Sequence, residues 1–206
     1  MYTLDGWTEY VHWSDIANAG NLGYYWEKPE VTYVDNLSYS EKLARVFPNG
    51  EYFTDKSQAD ACMTSVTVPV WVLKSDGTKY SSTRTIKVNS ALAEDVVKIF
   101  TEIYNDPSQF PIKSMGGYSW RNTASGRLSE HSYGTCIDIN PNENYYVSPS
   151  GKAITGSHWK PGEDPYSIPG DSIVVRTFAK YGWAWGGNAW GDWNNKDYMH
   201  FTYLGN

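Results

Sequence analysis

Two short stretches of the sequence concentrate histidines and carboxylates, although the whole chain has only four histidines. The first runs from Ser129 to Asp138 and contains His131, and the second runs from Asp197 to His200. A catalytic zinc ion takes three protein ligands, usually imidazole nitrogens or carboxylate oxygens, and keeps one position for water. His131, Asp138 and His200 can supply such a set, so the sequence predicts a site for one Zn²⁺.

Hydrolysis at such a site requires further groups. Water on zinc becomes a nucleophile at neutral pH because its pKa falls from about 16 to about 7, and a carboxylate must accept and return the proton. Asp197, three residues before His200, is the predicted general base. Arg121 lies upstream and can bind a substrate carboxylate or polarise the scissile carbonyl, with Arg127 as its competitor for that role.

The residues around these motifs leave alternatives open. Cys136 and Asp138 are two positions apart, so in a strand they face the same side, and a rival ligand set uses the Cys136 thiolate. Glu130 neighbours His131, and in an extended segment it would point away from the site, so we expect it to face solvent. Cys136 and Cys62 are expected to be small buried thiols, with a disulfide as the alternative if the chain is exported.

The elements that must position these groups follow from the local sequence. A turn at Gly134 followed by a strand would bring His131 and Asp138 together, and His200 would join them from a strand over residues 198–204. Helices and short strands alternate in mixed order along the chain. We therefore predict an α+β fold, with a small antiparallel sheet flanked by helices and the zinc site in a cleft on the sheet.

Other segments carry strong local signals. Residues 66–73 and 80–88 flank a Lys-Ser-Asp-Gly turn and predict an antiparallel hairpin, in which Pro69 indicates a sheet edge or a bulge. The polar segment 142–170 is predicted to be an insertion rich in Pro and Gly. Helices are predicted over residues 40–47, over 90–104 with Leu92, Val96, Ile99, Phe100 and Ile103 on one face, and from the N-cap Asp171 to Tyr181.

The composition excludes several classes of protein. With 206 residues, 40% of them hydrophobic and 19% charged, the chain is long and apolar enough to form a packed core and is not intrinsically disordered. No apolar run approaches the length of a membrane span. A net charge of −6 argues against a nucleic-acid partner. The 10 Trp and 17 Tyr are typical either of proteins that handle sugars or wall polymers or of a ring-rich core.

The two motifs resemble those of a known enzyme family. Ser129 to Asp138 matches the pattern S-x-H-x-x-G-x-x-x-D of the D-alanyl-D-alanine carboxypeptidase, or VanY-like, zinc metallopeptidases, and the match continues through Pro141. It resumes between Phe178 and Tyr203, where Gly-Trp-Ala-Trp-Gly-Gly precedes Asp-Tyr-Met-His-Phe. The pattern looks most like the branch that includes L-alanyl-D-glutamate peptidases. The resemblance covers roughly residues 60–206.

The resemblance implies a zinc-dependent hydrolase that cuts an amide bond in the peptide stem of bacterial peptidoglycan, as a D,D-carboxypeptidase or an L-Ala-D-Glu endopeptidase. The sequence departs from the family pattern at Cys136, where the family usually has Ala, and at the inserted residues 188–191. The family's roles carry over to His131, Asp138 and His200 as metal ligands, Asp197 as catalytic carboxylate, and Arg121 and Ser129 as catalytic or substrate-binding residues.

Further expectations concern the surroundings of the site. The tryptophans at 183, 185, 190 and 193 are expected to pack its floor, with Trp190 exposed as a substrate contact. His158 is expected to lie exposed in the insertion. The insertion and residues 188–192 should decide which stem-peptide bond is cut, because endopeptidase action needs a cleft that is open at both ends.

The predicted organisation is an aromatic-rich arm over residues 1–35 followed by a zinc peptidase domain over 36–206. The expected partner is the peptidoglycan stem, and the expected state is a monomer in the extracellular space or cell envelope, reached after removal of a signal peptide or as a phage lysin. The alternative function is a non-catalytic, zinc-bearing or aromatic-rich module that binds the cell wall. Asp197 discriminates between the two, because a non-catalytic site has little need for a carboxylate beside an open metal position.

Overall fold

The computed structural model describes residues 35–123, 125–188 and 195–205. All but the last residue of the predicted arm, and Trp190 as well, lie outside these ranges. The described part is an α+β fold with small antiparallel sheets and few helices, which confirms the predicted fold class. No helix in this part is both long and apolar enough to cross a membrane.

Three helices of the described part agree with the predicted segments to within a few residues, and a fourth, over Lys56–Ala61, was not predicted. The apolar face predicted for the longest helix is buried, and a 3-10 turn over Ser90–Leu92 precedes that helix. The last helix begins one residue later than predicted, because Ser172 rather than Asp171 caps it by accepting a hydrogen bond from the Val175 N–H at 3.4 Å. The helices are α1 (Tyr39–Val46), α2 (Lys56–Ala61), α3 (Ala93–Asn105) and α4 (Ile173–Lys180).

Nine strands form three sheets in the described residues. The longest two, β1 and β2, form the predicted hairpin, and Pro69 pairs with Thr83 in unbroken register on a strand that has one ladder partner, which favours the edge position over the bulge. The strands are β1 (Met63–Leu73), β2 (Lys79–Asn89), β3 (Met115–Gly116), β4 (Cys136–Ile139), β5 (Asn144–Val147), β6 (Ala153–Trp159), β7 (Ala184–Trp185), β8 (Lys196–Asp197) and β9 (His200–Thr202).

The central sheet has the order β3-β4-β9-β7 and carries Asp138 of the first histidine-containing motif and His200 of the second. Ile137 on β4 lies opposite Phe201 on β9, and both are fully buried. Phe201 stacks on Phe178 of α4 with ring centroids 4.2 Å apart, so this face of the sheet belongs to the hydrophobic core. Because side chains alternate along a strand, Asp138 and His200 point to the opposite face.

The third sheet has the order β6-β5-β8, and its strands β5 and β6 lie within the segment 142–170 that is predicted to be a polar insertion rich in Pro and Gly. The β5–β6 pairing contains register shifts, which explains why the sequence does not show a regular alternation there. Gly156 in β6 has a φ of +82° and lies against the backbone of Pro141 and Tyr145, where a Cβ would clash. Strand β5 also pairs with β8, with Tyr146 opposite Asp197.

Candidate metal centre

The register of the central sheet brings the three predicted ligands together. Asp138 on β4 is the direct partner of His200 on β9, and its Oδ1 lies 3.0 Å from His200 Nδ1. Its Oδ2 lies 3.0 Å from His131 Nε2. The two imidazole centroids are 5.5 Å apart. One nitrogen of each histidine therefore lies next to an oxygen of the same carboxylate, and imidazole nitrogens and carboxylate oxygens are donors that zinc binds.

A capped 3-10 turn holds His131 in place. The turn spans Glu130–Tyr133, and the Ser129 hydroxyl caps it by accepting the His131 backbone N–H at 3.4 Å. It ends at Gly134, which has a φ of 65° and lies against the backbone of Asn89, so a residue with a side chain would be strained and would clash there. The turn and the following strand β4 bring His131 back towards Asp138.

Hydrogen bonding selects the nitrogen that His131 offers. Its Nδ1 lies 2.7 Å from the carbonyl oxygen of Gly117, and a carbonyl can only accept a hydrogen bond. Nδ1 therefore carries a proton, and Nε2 is the nitrogen that faces the Asp138 carboxylate and that a metal would bind. An outer hydrogen bond of this kind is the usual way in which a protein orients a histidine ligand.

Glu130 does not face solvent as expected. Its side chain is only 17% exposed, and its Oε2 lies 3.1 Å from His200 Nε2. Its Oε1 accepts a hydrogen bond from the Thr202 hydroxyl at 2.9 Å. The expectation failed because it assumed an extended segment, whereas Glu130 opens a helical turn. The signal that could have indicated this turn is Ser129 as an N-cap followed by Gly134 as a C-cap.

The charges of the centre are strongly coupled. Burial alone would raise the pKa of Asp138, but hydrogen bonds from His131 and His200, and their charges, hold it well below its ordinary value. Burial alone would lower the pKa of His200, but hydrogen bonds to Asp138 and Glu130 raise it to about 10. In the metal-free protein the ionised Asp138 carboxylate thus lies between His131 and a protonated His200.

Cys136 lies close enough to belong to the same centre. Its sulfur and the ligand nitrogens of His131 and His200 are within 4.8 Å of one another. Burial raises the thiol pKa well above its usual value, and the carboxylates of Glu130 and Asp138 raise it further. The thiol is therefore neutral in the metal-free protein, whereas Asp138 is ionised. A zinc ion deprotonates a thiol that it binds, so these pKa shifts do not select between the carboxylate and the thiolate as third ligand. Cys136 and Cys62 are free thiols rather than a disulfide, and Cys136 is buried as expected, whereas Cys62 is half-buried.

Asp197 has the properties of a proton acceptor. Burial raises the pKa of its carboxyl to about 7, with the charge of His200 opposing this rise and that of Asp138 adding to it. Among the described residues its Oδ1 is buried and has no hydrogen-bond partner. A buried carboxylate oxygen without a donor is costly, so a donor such as a water molecule or a substrate group is expected there. The donor set and this oxygen together fit a zinc ion with a water position.

The other predicted residues occupy different surroundings. The Arg121 side chain is exposed, and its charge counteracts the rise in the Cys136 thiol pKa, so the guanidinium lies within electrostatic range of the centre. The Ser129 hydroxyl caps the turn, and its contact with substrate stays a prediction. His158 is half-buried rather than exposed, because its Nε2 lies 2.7 Å from Asp164 Oδ2.

The tryptophans in the described part pack as expected. Trp183 and Trp185 are buried in the core, where Trp183 contacts Phe178 at a steep angle with ring centroids 5.6 Å apart. Trp185 donates its indole N–H to the backbone oxygen of Tyr198 at 2.8 Å, which ties β7 to the turn between Asp197 and His200. These two rings therefore belong to the hydrophobic core, which lies on the face of the central sheet opposite to Asp138 and His200.

Comparison with known proteins agrees with this geometry. Residues 123–203 match the family model described as D-alanyl-D-alanine carboxypeptidase, and this segment contains both motifs. No curated protein and no solved structure matches the chain significantly. The match confirms the family resemblance read from the two motifs. At the family level it indicates a metallopeptidase that acts on the peptides of peptidoglycan.

Proposed function

We propose that this protein is a zinc-dependent peptidase that hydrolyses an amide bond in the peptide stem of bacterial peptidoglycan. The observation that carries the proposal is the convergence of His131, Asp138 and His200 beside the buried, unpaired Oδ1 of Asp197. A site that only holds a metal does not require a carboxylate oxygen at this position. The match of residues 123–203 to a carboxypeptidase family supports the same reaction.

Each residue of the centre then has a chemical role. Zinc bound by His131, Asp138 and His200 would activate water and polarise the scissile carbonyl. Asp197 accepts a proton at Oδ1 and returns it to the leaving amine, for which a pKa of about 7 is well suited at neutral pH. Arg121 is exposed at the edge of the centre, where it can bind a carboxylate of the substrate.

The substrate groove is proposed to run between the central sheet and the β5–β6 hairpin. Strand β5 pairs with β8, so the hairpin is joined to the strand that carries Asp197. Tyr146 lies opposite Asp197 in this pairing, and cross-strand partners are close neighbours on one face of a sheet. We assign Ser129 and Trp190 to the substrate-binding residues, and the region 36–206 to the peptidase domain that acts in the cell envelope or outside the cell.

A non-catalytic metal-bearing module is the second candidate function. It is favoured by Cys136, because its sulfur lies within reach of both imidazoles and could close the coordination sphere as a fourth ligand. A closed sphere would leave no position for water. Replacing Cys136 by Ala separates the two candidates: an open site keeps its zinc and its activity, whereas a closed site loses affinity for the metal.

Digestion of purified peptidoglycan tests the proposed reaction. The zinc-loaded protein is incubated with peptidoglycan, and the new termini are identified by mass spectrometry. Release of free D-Ala identifies a carboxypeptidase, whereas a new N-terminal D-Glu identifies an endopeptidase. Asp197→Asn is the matched control, because it retains the ligands and removes the base. Equal products from the variant and the wild type, or no products from a fully zinc-loaded wild type, would overturn the proposal.

A further inference from the structure

We propose that Glu130 is a positioning residue that determines which nitrogen of His200 faces the metal. This inference rests on the proposed function, because it concerns the same centre. Glu130 lies outside the predicted ligand set, and its position in the motif pattern is not restricted to one residue type. The argument depends on its two carboxylate oxygens, which have different partners on the same strand.

Both contacts anchor Glu130 to β9. Its Oε2 lies 3.1 Å from Nε2 of His200, and its Oε1 lies 2.9 Å from Oγ1 of Thr202. His200 and Thr202 are two residues apart in a strand, so both side chains project from the same face. A carboxylate held at two points on one strand cannot rotate without breaking one of the contacts.

The hydroxyl of Thr202 is oriented so that it donates to Glu130. It accepts a hydrogen bond from the Gly205 backbone N–H at 3.1 Å, which leaves its own proton available for the carboxylate. A carboxylate has only acceptor sites, so it must also receive a proton from Nε2 of His200. The hydrogen bond from Thr202 thus holds the Glu130 carboxylate against Nε2, which donates its proton to it, while Nδ1 donates to Asp138 in the metal-free protein.

The consequence is a defined orientation of His200. With a proton held on Nε2, the nitrogen that can bind a metal is Nδ1, which lies 3.0 Å from Asp138 Oδ1. His131 presents the other nitrogen, Nε2, because the carbonyl of Gly117 engages its Nδ1. A carboxylate also makes the imidazole a stronger ligand than a carbonyl does, since its charge stabilises positive charge on the ring.

Zinc affinity measured by chelator competition at a fixed pH tests this role. We expect Glu130→Ala to bind zinc about 10- to 100-fold more weakly than the wild type. Glu130→Gln keeps an acceptor oxygen for Nε2 and should recover most of this loss. Thr202→Val removes only the second anchor and should weaken binding less than Glu130→Ala. Glu163→Ala is the matched control, because it removes the same charge from a side chain that is 77% exposed.

A spectroscopic measurement separates positioning from a general loss of structure. Long-range ¹H–¹⁵N spectra of the zinc-loaded proteins report which nitrogen of each imidazole carries a proton. We expect the wild type and Glu130→Gln to show a proton on His200 Nε2 and zinc on Nδ1, and Glu130→Ala to show a mixture of states at this ring. His131 should keep its pattern in every variant, and thermal unfolding should show that each variant is folded.

The outcomes distinguish this inference from the proposed function. Wild-type zinc affinity and an unchanged His200 signal in folded Glu130→Ala would overturn the positioning role and leave the peptidase proposal intact. A wild type that binds no zinc would overturn both. Loss of turnover in zinc-saturated Glu130→Gln, with Asp197→Asn still active, would also overturn the inference, because Glu130 would then be the general base.

Discussion

Replacing Asp197 by Asn should strongly slow hydrolysis and at the same time stabilise the metal-free protein at neutral and alkaline pH. The substitution replaces the carboxyl group by an amide of nearly the same shape, so the packing around β8 is retained. General acid–base catalysis contributes about 10²- to 10⁴-fold to a rate, and turnover by the zinc-loaded variant should fall by that factor. Zinc content should remain the same because Asp197 is outside the proposed ligand set.

The effect on stability follows from the pKa of the carboxyl group. Burial raises this pKa from 3.8 to about 7 in the folded protein. A group whose pKa is raised on folding stabilises the protein fully below the unfolded pKa, and this contribution is lost as the pH rises through the folded pKa. The loss therefore occurs between about pH 4 and pH 7. A difference of about three pH units corresponds to about 4 kcal/mol.

The amide in Asp197→Asn does not titrate, so the variant avoids this loss of stability. Urea unfolding of the metal-free wild type and variant at several pH values between 4 and 8.5 measures the difference directly. We expect the variant to gain about 2–4 kcal/mol relative to the wild type between the two ends of this range. A difference that stays constant with pH would show that Asp197 is not held in a desolvated site, and the assignment of a base with a pKa near 7 would be wrong.

Three further predictions concern the ligands and the substrate. Asp138→Asn should lose zinc affinity, whereas Cys136→Ala should retain it; metal analysis giving the reverse pattern would select the thiolate ligand set. Zinc affinity should rise by about tenfold per pH unit between pH 6 and 8, because the metal displaces a proton from His200, whose pKa is raised to about 10. Calorimetry in buffers of different ionisation enthalpy should therefore detect proton release. Arg121→Ala should raise KM for a stem peptide about tenfold or more while its zinc content stays the same, and an unchanged KM would exclude a substrate contact.

The elements that could be predicted from the sequence are those with a long periodic signal. Helix α3 buries four of the five apolar residues that the spacing predicts, and the fifth, Leu92, is buried in the preceding 3-10 turn. The β1–β2 hairpin has the predicted turn, with strands two to three residues longer than predicted. The β5–β6 hairpin could not be predicted, because its bulges and Gly156 break the alternation on which a strand prediction depends. Strand pairing with β8 also involves residues about fifty positions apart, which local patterns do not encode.

The site shows the same division between local and non-local information. The two motifs predict that His131, Asp138 and His200 lie together, because residue type and spacing carry the coordination chemistry, and the described structure places these three side chains next to one another. The contact of Glu130 with His200 joins residues seventy positions apart and depends on a single 3-10 turn. A rule based on strand alternation placed this side chain in solvent. The backbone conformation at one residue therefore decides whether a carboxylate faces water or supports a ligand.

The core and the metal centre are opposite faces of the same two strands. On β4 and β9, Ile137 and Phe201 pack against α4, while Asp138 and His200 point to the other side. Strands of three or four residues have few ladder hydrogen bonds, so their position depends on the packing of the buried face. A change in the stack between Phe201 and Phe178 would consequently shift the Asp138–His200 pair with it. The tightly packed aromatic core is thus what gives a centre on such short strands its fixed geometry.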